Sequence, residues 1–363
     1  MKRRDFIKVT AGAGALTMAA MKAQEHSIPG WEIRPRGASW PVSIDVHTHW
    51  TPAAYTARLG QLGRPMAGNA TAMPLREDLD RRIKWMDERG VQMMVLSLSG
   101  GMPWQWVSAD EGARLARIVN DAGVEAHAAH PDRLLACIEI SIRDPQLCLK
   151  EIDRMAGKPG MCGVHLPNSL EGRDDYVFAP AFAPVLERCE ALGLPLLFHP
   201  MDGEVNYYGG PETRLAGPLS ESVKYWNTLG FMFETATTAT KFIVTGTLDK
   251  FPKLEIVLPH SGGSFPYIAG RVEHGLTRKK FPLRHPFKDY IRRFHYDTLT
   301  FDLETLRFLV ELAGSDRVVI GTDNAFGPQQ FFEWPNAIVE ALNLPAADQD
   351  RILRDNAKRL FRL

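Results

Sequence analysis

Short apolar segments alternate with longer amphipathic segments along almost the whole chain after residue 41. Eight of the apolar segments are rich in β-branched residues and have the length of strands that are buried on both faces. Between them, apolar positions recur at helical spacing, and several of these segments end at Gly or Pro. The predicted strands cover residues 42–47, 91–98, 134–140, 161–166, 194–199, 254–260, 294–298 and 317–323.

This alternation of strand and helix predicts a parallel sheet whose strands are connected by crossover helices. For a chain of this length, eight repeats favour a closed barrel over a doubly wound open sheet. No glycine-rich dinucleotide-binding motif follows the first strand, which weakens the open-sheet alternative. We therefore expect one α/β domain, a (β/α)8 TIM barrel, over residues 42–363.

The first 41 residues do not share the alternation. They start with MKRRDFIK, and a Gly- and Ala-rich, weakly apolar run follows. This is the layout of a signal peptide, and RRDFIK resembles the twin-arginine export motif. We expect a signal peptide over residues 1–23, a linker over residues 24–41, and export by the twin-arginine machinery to the periplasm. The alternative is a cytoplasmic protein with a disordered basic tail.

Charge and cysteine content restrict the possible partners and the state of the thiols, but not the fold. The chain has 43 Lys and Arg residues against 43 Asp and Glu residues, so its formal charge is zero. We therefore expect no nucleic-acid partner. The four cysteines form no Cys-x-x-Cys pair, and several lie in apolar segments. This favours buried free thiols over a disulfide.

Several predicted strands end in a polar residue that can bind a metal. His47 and His49 lie two residues apart, so they face the same way at the end of the first strand. His199, His260 and Asp323 end the fifth, sixth and eighth predicted strands. A core excludes such groups unless they are paired or bind something. Barrel enzymes carry out their chemistry at the carboxyl ends of the strands, so the pattern predicts a cation site there.

Together these segments resemble the amidohydrolase superfamily, and within it the branch of aminocarboxymuconate-semialdehyde decarboxylase and related decarboxylases. The resemblance extends over about residues 43–361 and is carried by DVHTH, FHP, PHSGGSFPYIAGRVEHG, GTDNAF and ILRDNAKRLF. It implies that His47, His49, His199 and Asp323 bind one divalent metal per chain. Three imidazoles and a carboxylate suit Zn²⁺, and Mn²⁺ is the alternative.

The resemblance also implies roles for residues beside the metal. His260 matches the catalytic histidine, and Asp323 would transfer a proton as well as bind the metal. Arg271 matches an arginine that binds a substrate carboxylate in the neighbouring subunit of a homodimer. The alternative for Arg271 is a salt bridge on a helix surface. Phe326 matches an aromatic residue that lines the substrate pocket, and the alternative is simple packing.

At the fourth strand, where two-metal members carry a bridging lysine or glutamate, this sequence has His165. We expect a single metal, with His165 either contacting the substrate or packed and hydrogen-bonded beside the barrel. Met201 replaces a family tryptophan, and the second substrate arginine does not align. Arg58, Arg64 and Arg76 lie nearby in other contexts, so the sequence does not assign the muconate semialdehyde substrate.

The leading hypothesis is metal-dependent, non-oxidative decarboxylation of a small aromatic or unsaturated carboxylic acid. The alternative is hydrolysis of a lactone, ester or amide by water activated at the same metal, because both reactions use the same ligands. A third class is a periplasmic binding barrel without catalytic activity. Each hypothesis expects a small-molecule ligand, and the first expects a carboxylate.

Overall fold

A computed structural model describes residues 43–63, 73–98, 102–171, 173–200, 229–324 and 335–363. The predicted signal peptide and linker lie outside the described residues, as do Phe326, Met201 and Arg64. Among the described residues we find no helix with the length and hydrophobicity that a bilayer span requires. The four cysteines are free and buried, as predicted.

Eight parallel strands form one sheet in which each strand pairs with the next along the chain. Backbone hydrogen bonds also join the last segment to the first. Val46 N–H donates to the Ile320 carbonyl at 2.9 Å, and Asp323 N–H donates to the His47 carbonyl at 2.8 Å. The predicted (β/α)8 TIM barrel is confirmed. The strands are β1 (Ser43–Trp50), β2 (Val91–Leu98), β3 (Leu134–Glu139), β4 (Met161–Pro167), β5 (Leu196–His199), β6 (Ile256–Leu258), β7 (Phe294–Asp297) and β8 (Val318–Val319).

Helices surround the sheet and bury their apolar faces against its outer surface. Several begin at an Asp or Ser whose side chain accepts a hydrogen bond from the first turn, as Asp78, Ser108, Asp144 and Asp302 do. The helices are α1 (Ala53–Gln61), α2 (Met73–Glu77), α3 (Leu79–Glu88), α4 (Ala109–Ala129), α5 (Pro145–Met155), α6 (Ala183–Leu192), α7 (Phe231–Val244), α8 (Thr247–Lys250), α9 (Phe265–Arg278), α10 (Phe287–Ile291), α11 (Leu303–Ala313), α12 (Ala337–Ala341), α13 (Ala346–Asp350) and α14 (Asn356–Phe361).

The barrel interior changes from apolar to polar along the direction of the strands. Its lower part is an apolar cluster that α14 closes from below, and its strand residues are Ile44, Val46, Val95, Leu135, Cys137, Cys162, Leu197, Val257 and Val319. Two residues further along β2, β3 and β5, the inward positions are Ser97, Glu139 and His199, all of them buried. Polar side chains are therefore concentrated at the carboxyl rim.

A one-residue bulge in β1 lets both histidines of the first strand face inward. Ile44 and Val46 already belong to the interior cluster, so strict alternation would turn His47 and His49 outward. The register with β2 slips by one residue between Asp45 and the rim end of β1. The bulge changes which positions face the interior, and the two imidazole rings become neighbours at 5.2 Å between centroids.

The sixth and eighth strands are shorter than predicted. β6 ends at Leu258, and His260 begins a 3-10 turn with a φ of 52°. β8 covers only Val318–Val319, and Asp323 follows it with a φ of 56°. The prediction that His260 and Asp323 end their strands is therefore wrong in detail. At both positions the left-handed backbone departs from the extended strand conformation, a departure that is rare outside glycine and frequent at functional sites.

Candidate metal centre

The structure brings five of the sequence-predicted residues together at the carboxyl rim. The ring centroid of His47 lies 5.2 Å from that of His49, 5.3 Å from that of His199 and 5.1 Å from that of His260. The Asp323 carboxylate lies among these rings. Its Oδ1 is 2.8 Å from His49 Nε2 and 3.5 Å from His47 Nε2, and its Oδ2 is 3.9 Å from His260 Nε2.

In three of the four imidazoles, the Nδ1 atom has a hydrogen-bond acceptor. The Nδ1 of His47 lies 2.7 Å from a carboxylate oxygen of Asp297, and the Nδ1 atoms of His49 and His199 lie 3.1 and 2.7 Å from backbone carbonyls. These partners only accept hydrogen bonds, so each Nδ1 carries the hydrogen and each Nε2 keeps its lone pair. The three Nε2 atoms are buried and have no hydrogen-bond partner among the described residues. Such an arrangement suits a cation.

His260 differs from these three rings. Its Nε2 faces Asp323, whereas its Nδ1 is buried and has no hydrogen-bond partner in the described part of the chain. The ring stacks on Phe231 with 5.7 Å between centroids. Because no acceptor fixes its hydrogen at Nδ1, this ring can exchange a proton at the nitrogen that faces Asp323.

The described residues thus form a metal-binding site. One donor atom each from His47, His199, His260 and Asp323 lies within 4.8 Å of the other three. His49 adjoins this group through its 2.8 Å contact with Asp323. The site therefore offers one nitrogen more than a four-coordinate ion with three imidazoles and a carboxylate needs.

Burial and nearby charges set the protonation of the cluster when no cation is bound. Burial lowers the pKa of His199 well below its usual range and lowers the pKa of His49 to about 4. Burial also acts against a charged His47, but the hydrogen bond to Asp297 and the neighbouring carboxylates raise its pKa to about 9. Burial would raise the pKa of Asp323, but the neighbouring imidazoles of His260, His49 and His47 hold that pKa well below its usual range.

Asp297, at the end of β7, holds both the His47 ring and the turn that carries His260. Its Oδ2 accepts hydrogen bonds from His47 Nδ1 at 2.7 Å and from the His260 N–H at 2.9 Å. Its Oδ1 accepts from the N–H groups of Ser261 at 2.6 Å and Leu299 at 3.1 Å. Asp297 was not among the residues predicted from the sequence, although FHYDT shows the same signal as the other sites: an apolar strand that ends in an acid.

Gly321 permits the close approach of β7 and β1 at this site. A Cβ at position 321 would lie 2.6 Å from the Cβ of Asp297 and 2.9 Å from the Cβ of His47. Nearby, Thr322 Oγ1 donates to Asp45 Oδ2 at 2.5 Å, which joins the last segment of the barrel to β1. Close packing of these strands brings the ligand-bearing ends into contact, so position 321 has no room for a side chain.

The structure also shows the surroundings of the predicted substrate-binding residues and of two further arginines. Arg271 is exposed on α9 and makes no ion pair with any described residue, so its salt-bridge alternative is not found. Arg58 is paired with Glu111 at 2.7 Å on the helices that follow β1 and β2. Arg76 is buried, and its backbone carbonyl accepts the Thr51 N–H at 3.1 Å, just after the end of β1. His165 is hydrogen-bonded and lies next to this cluster.

The amidohydrolase family model matches residues 44–363. The chain belongs to the amidohydrolase family. This amidohydrolase is 32% identical to the gamma-resorcylate decarboxylase of Rhizobium sp. (strain MTP-10005) over 301 residues, which cover 78% of this chain and 87% of that protein. It is 27% identical to the 2-amino-3-carboxymuconate-6-semialdehyde decarboxylase of Dictyostelium discoideum over 296 residues, which cover 77% of this chain and 75% of that protein.

A solved structure of dihydroxybenzoic acid decarboxylase from Polaromonas sp. JS666 has the same fold. It contains bound manganese and the inhibitor 2-nitroresorcinol. The likeness to this amidohydrolase has a TM-score of 0.71 at 24% identity and covers 89% of this chain and 97% of that chain. The resemblance inferred from the sequence is confirmed, and the chain is an enzyme of this family.

We expect Asp297→Asn to weaken Zn²⁺ binding by roughly 10- to 100-fold, the usual effect of removing a group that orients a metal ligand. The amide nitrogen of Asn would face N–H donors that the carboxylate now accepts, so the His47 ring and the His260 turn would both shift. Competition with a chromophoric chelator measures the affinity. The control is Asp289→Asn on the exposed face of α10, which should leave it unchanged. Equal affinities for the two variants would show that Asp297 does not orient the site.

Proposed function

We propose that this chain is a metal-dependent, non-oxidative decarboxylase of a small aromatic acid. The observation that carries the proposal is the set of unpartnered Nε2 atoms facing the Asp323 carboxylate. This set occurs in a chain with 32% identity to a decarboxylase over most of the length of both proteins. Relatives of similar length that are named decarboxylases support the reaction class, and the side chains at the rim support the presence of a metal ion.

We propose that His47, His49, His199 and Asp323 hold one divalent ion. Their open nitrogen atoms and single carboxylate suit Zn²⁺, and Mn²⁺ accepts a similar donor set. When bound, the ion would stabilise negative charge on the oxygen atoms of the substrate. His260 stays outside this set because no described residue accepts a hydrogen bond from its Nδ1, whereas the Nδ1 atoms of the three proposed imidazole ligands each have an acceptor.

The reaction needs a proton at the carbon that loses carbon dioxide. The bond between the ring carbon and the carboxylate breaks, carbon dioxide leaves, and the electron pair stays on the ring carbon and takes up a proton. Asp323 Oδ1 faces His47 and His49, whereas Oδ2 faces His260 Nε2 at 3.9 Å. One oxygen can therefore bind the ion while the other exchanges a proton with His260. Phe231 covers one face of the His260 ring and keeps bulk water from it.

Carbon dioxide release tests this proposal. The purified protein is loaded with Zn²⁺ or Mn²⁺ and incubated with a panel of hydroxybenzoates and related aromatic acids, and carbon dioxide is measured directly. The proposal predicts release from at least one acid and none after chelation. Incorporation of labelled water oxygen into a lactone, ester or amide product, with no carbon dioxide, would instead establish hydrolysis.

We also propose a homodimer in which Arg271 completes the site of the partner subunit. Arg271 is exposed on α9, and one helical turn earlier Tyr267 is 45% exposed and stacks on Phe308 of α11, which is 42% exposed. An exposed aromatic pair of this kind is typical of a protein interface. A guanidinium that reaches a neighbouring site could bind the substrate carboxylate through two hydrogen bonds.

Mixed dimers test this arrangement. We expect Arg271→Ala to lower kcat/KM by roughly 10- to 100-fold through loss of a charged hydrogen bond. Asp323→Asn should be inactive. Coexpression of the two variants should restore about one quarter of the wild-type activity, because half of randomly formed dimers would carry one intact site. Activity no higher than that of the separate variants would place Arg271 in the site of its own subunit, and an unimpaired Arg271→Ala would place it outside the site.

We further propose that residues 1–23 direct export by the twin-arginine route. The motif RRDFIK carries this proposal, because the two arginines precede a Phe-hydrophobic-Lys triplet. Replacing Arg3 and Arg4 by lysine should retain the protein in the cytoplasm, and cell fractionation measures the difference. Unchanged export would remove the proposal, and a wild-type chain found only in the cytoplasm would favour the basic-tail alternative.

A further inference from the structure

Arg82 is a fully buried cation beside the metal centre, and none of the roles assigned above uses it. It lies on α3, and its side chain is 0% exposed. Its Nη2 donates to the His49 carbonyl at 2.5 Å and to the Leu75 carbonyl at 2.8 Å, and its Nη1 donates to Asn324 Oδ1 at 3.3 Å. One guanidinium therefore joins α2, the end of β1 and the segment that follows Asp323.

These acceptors connect two of the proposed metal ligands. His49 is itself one of them, and its N–H donates to the Asn324 carbonyl. Asn324 directly follows Asp323, whose Oδ1 lies 2.8 Å from His49 Nε2. Hydrogen bonds thus form a closed circuit from Arg82 to the His49 carbonyl, from the His49 N–H to Asn324, and from the Asn324 side chain back to Arg82. A shift of the guanidinium would therefore change the separation of the two ligands.

Stability of the fold does not explain a guanidinium at this position. The three acceptors named above are all neutral, and a buried charge without a charged partner is destabilising. Burial lowers the pKa of Arg82 to about 10, so the side chain stays charged at neutral pH. Its Nε and the Nδ2 of Asn324 are buried and have no hydrogen-bond partner among the described residues. Apolar side chains often replace such groups without loss of stability, so the orientation of the two acceptors is the better explanation.

We propose that Arg82 is a positioning residue that sets the separation of His49 and Asp323 and thereby the affinity of the site for its metal. The inference rests on the proposed function, because it takes His49 and Asp323 as ligands of one ion. A planar guanidinium holds its two outer nitrogen atoms at a fixed spacing, so it can fix two acceptors on different segments at once. The single ammonium group of a lysine keeps the charge but cannot reproduce this fork. Groups that orient ligands in this way tune metal affinity without binding the ion.

Zinc affinity tests this inference without any substrate. Arg82→Lys keeps the charge, and Arg82→Met keeps a long unbranched side chain without it. Both lose the fork, so both should bind Zn²⁺ roughly 10- to 100-fold more weakly than the wild type. Competition with a chromophoric chelator measures the affinity, and the thermal midpoint of each metal-free variant shows whether it is folded. Arg82→Lys decides the question if Arg82→Met does not fold.

Arg293→Lys provides the matched control. Arg293 lies just before β7, at the end of that strand opposite to Asp297. Its guanidinium donates to the backbone carbonyls of Leu248 at 3.2 Å, Phe251 at 3.4 Å and Pro252 at 2.8 Å. The control therefore loses hydrogen bonds of the same kind at a distance from the ligands. Its thermal midpoint should fall, but its Zn²⁺ affinity should stay within about twofold of the wild-type value.

Bound Co²⁺ gives a second readout, because its visible absorption depends on the number and arrangement of its ligands. The spectra are recorded at saturating Co²⁺, so that a weaker affinity does not by itself alter them. Arg82→Lys should change the positions or intensities of the bands, whereas Arg293→Lys should reproduce the wild-type spectrum. A purely structural role for Arg82 would lower the thermal midpoint and leave the spectrum unchanged.

The outcomes separate this inference from the proposed function. Wild-type zinc affinity or an unchanged Co²⁺ spectrum in Arg82→Lys would overturn the inference, and so would equal changes in Arg293→Lys. Weaker binding and an altered spectrum in the Arg82 variants alone would uphold it, even if the wild type released no carbon dioxide from any acid, a result that would remove the proposed reaction. A wild-type chain that binds neither Zn²⁺ nor Co²⁺ would overturn both.

Discussion

Asp323→Asn should leave the chain without stoichiometric metal and lower kcat/KM by more than about 10³-fold. The substitution keeps the size of the side chain but removes the Asp323 carboxylate, which faces His47, His49 and His260. Removing a charged ligand weakens divalent-ion binding, and removing the proton acceptor blocks the exchange with His260. Elemental analysis of the purified protein and a carbon dioxide assay measure the two effects.

Asp45→Asn is the matched control for this substitution. Asp45 is a buried acid in β1, where the last segment of the barrel joins the first strand. Its side chain accepts hydrogen bonds from Thr322 and from backbone N–H groups. Burial raises its pKa to about 7, so an amide is a close substitute for its protonated form. We expect full metal occupancy for this control. If Asp323→Asn retained metal and activity to the same extent, Asp323 would have neither of its assigned roles.

His260→Gln should lower kcat by roughly 10²- to 10⁴-fold while leaving one metal ion per chain, because the lost group moves a proton rather than binding the ion. The matched substitution is His49→Gln, which removes a proposed ligand whose Nε2 lies 2.8 Å from Asp323, against 3.9 Å for His260 Nε2. That variant should lose metal as well as activity. The comparison matters because His260 is one of the four residues whose donor atoms lie within 4.8 Å of one another. His49 is not one of these four and only contacts Asp323, which is.

Single-turnover and metal measurements on the two variants decide between the two sets of donors. Loss of metal in His260→Gln together with full occupancy in His49→Gln would exchange their roles. Loss of metal in both would indicate a five-donor site. Retention of metal in both, with kcat unchanged, would remove both residues from the chemistry.

The main features of the fold were predictable because they depend on local patterns. Buried parallel strands are continuous apolar runs, and the structure has a strand within or overlapping every predicted segment. His47, His49, His199, His260 and Asp323 were recognisable because they follow those runs, where a core side chain would be apolar. The family resemblance then supplied their roles.

What the sequence did not show depends on small changes in register and on tertiary contacts. The slip in β1 changes which residues face inward, and alternation alone carries no signal for such a slip. The left-handed backbone at His260 shortens a strand that its apolar pattern extends. Glu139 and Asp297 were overlooked because one acid in an apolar strand has no visible partner until the barrel closes. The position of Arg76 could not be predicted either, because its helix α2 is placed by packing against β1.

A crystal structure with anomalous data at the zinc edge tests the central claim most directly. The account predicts one peak per chain within bonding distance of the Nε2 atoms of His47, His49 and His199 and of an Asp323 oxygen, at roughly 2.0–2.2 Å. A peak bonded to His260 in place of His49 would contradict the ligand assignment. The absence of any peak from Zn²⁺-loaded crystals would contradict the metal centre itself.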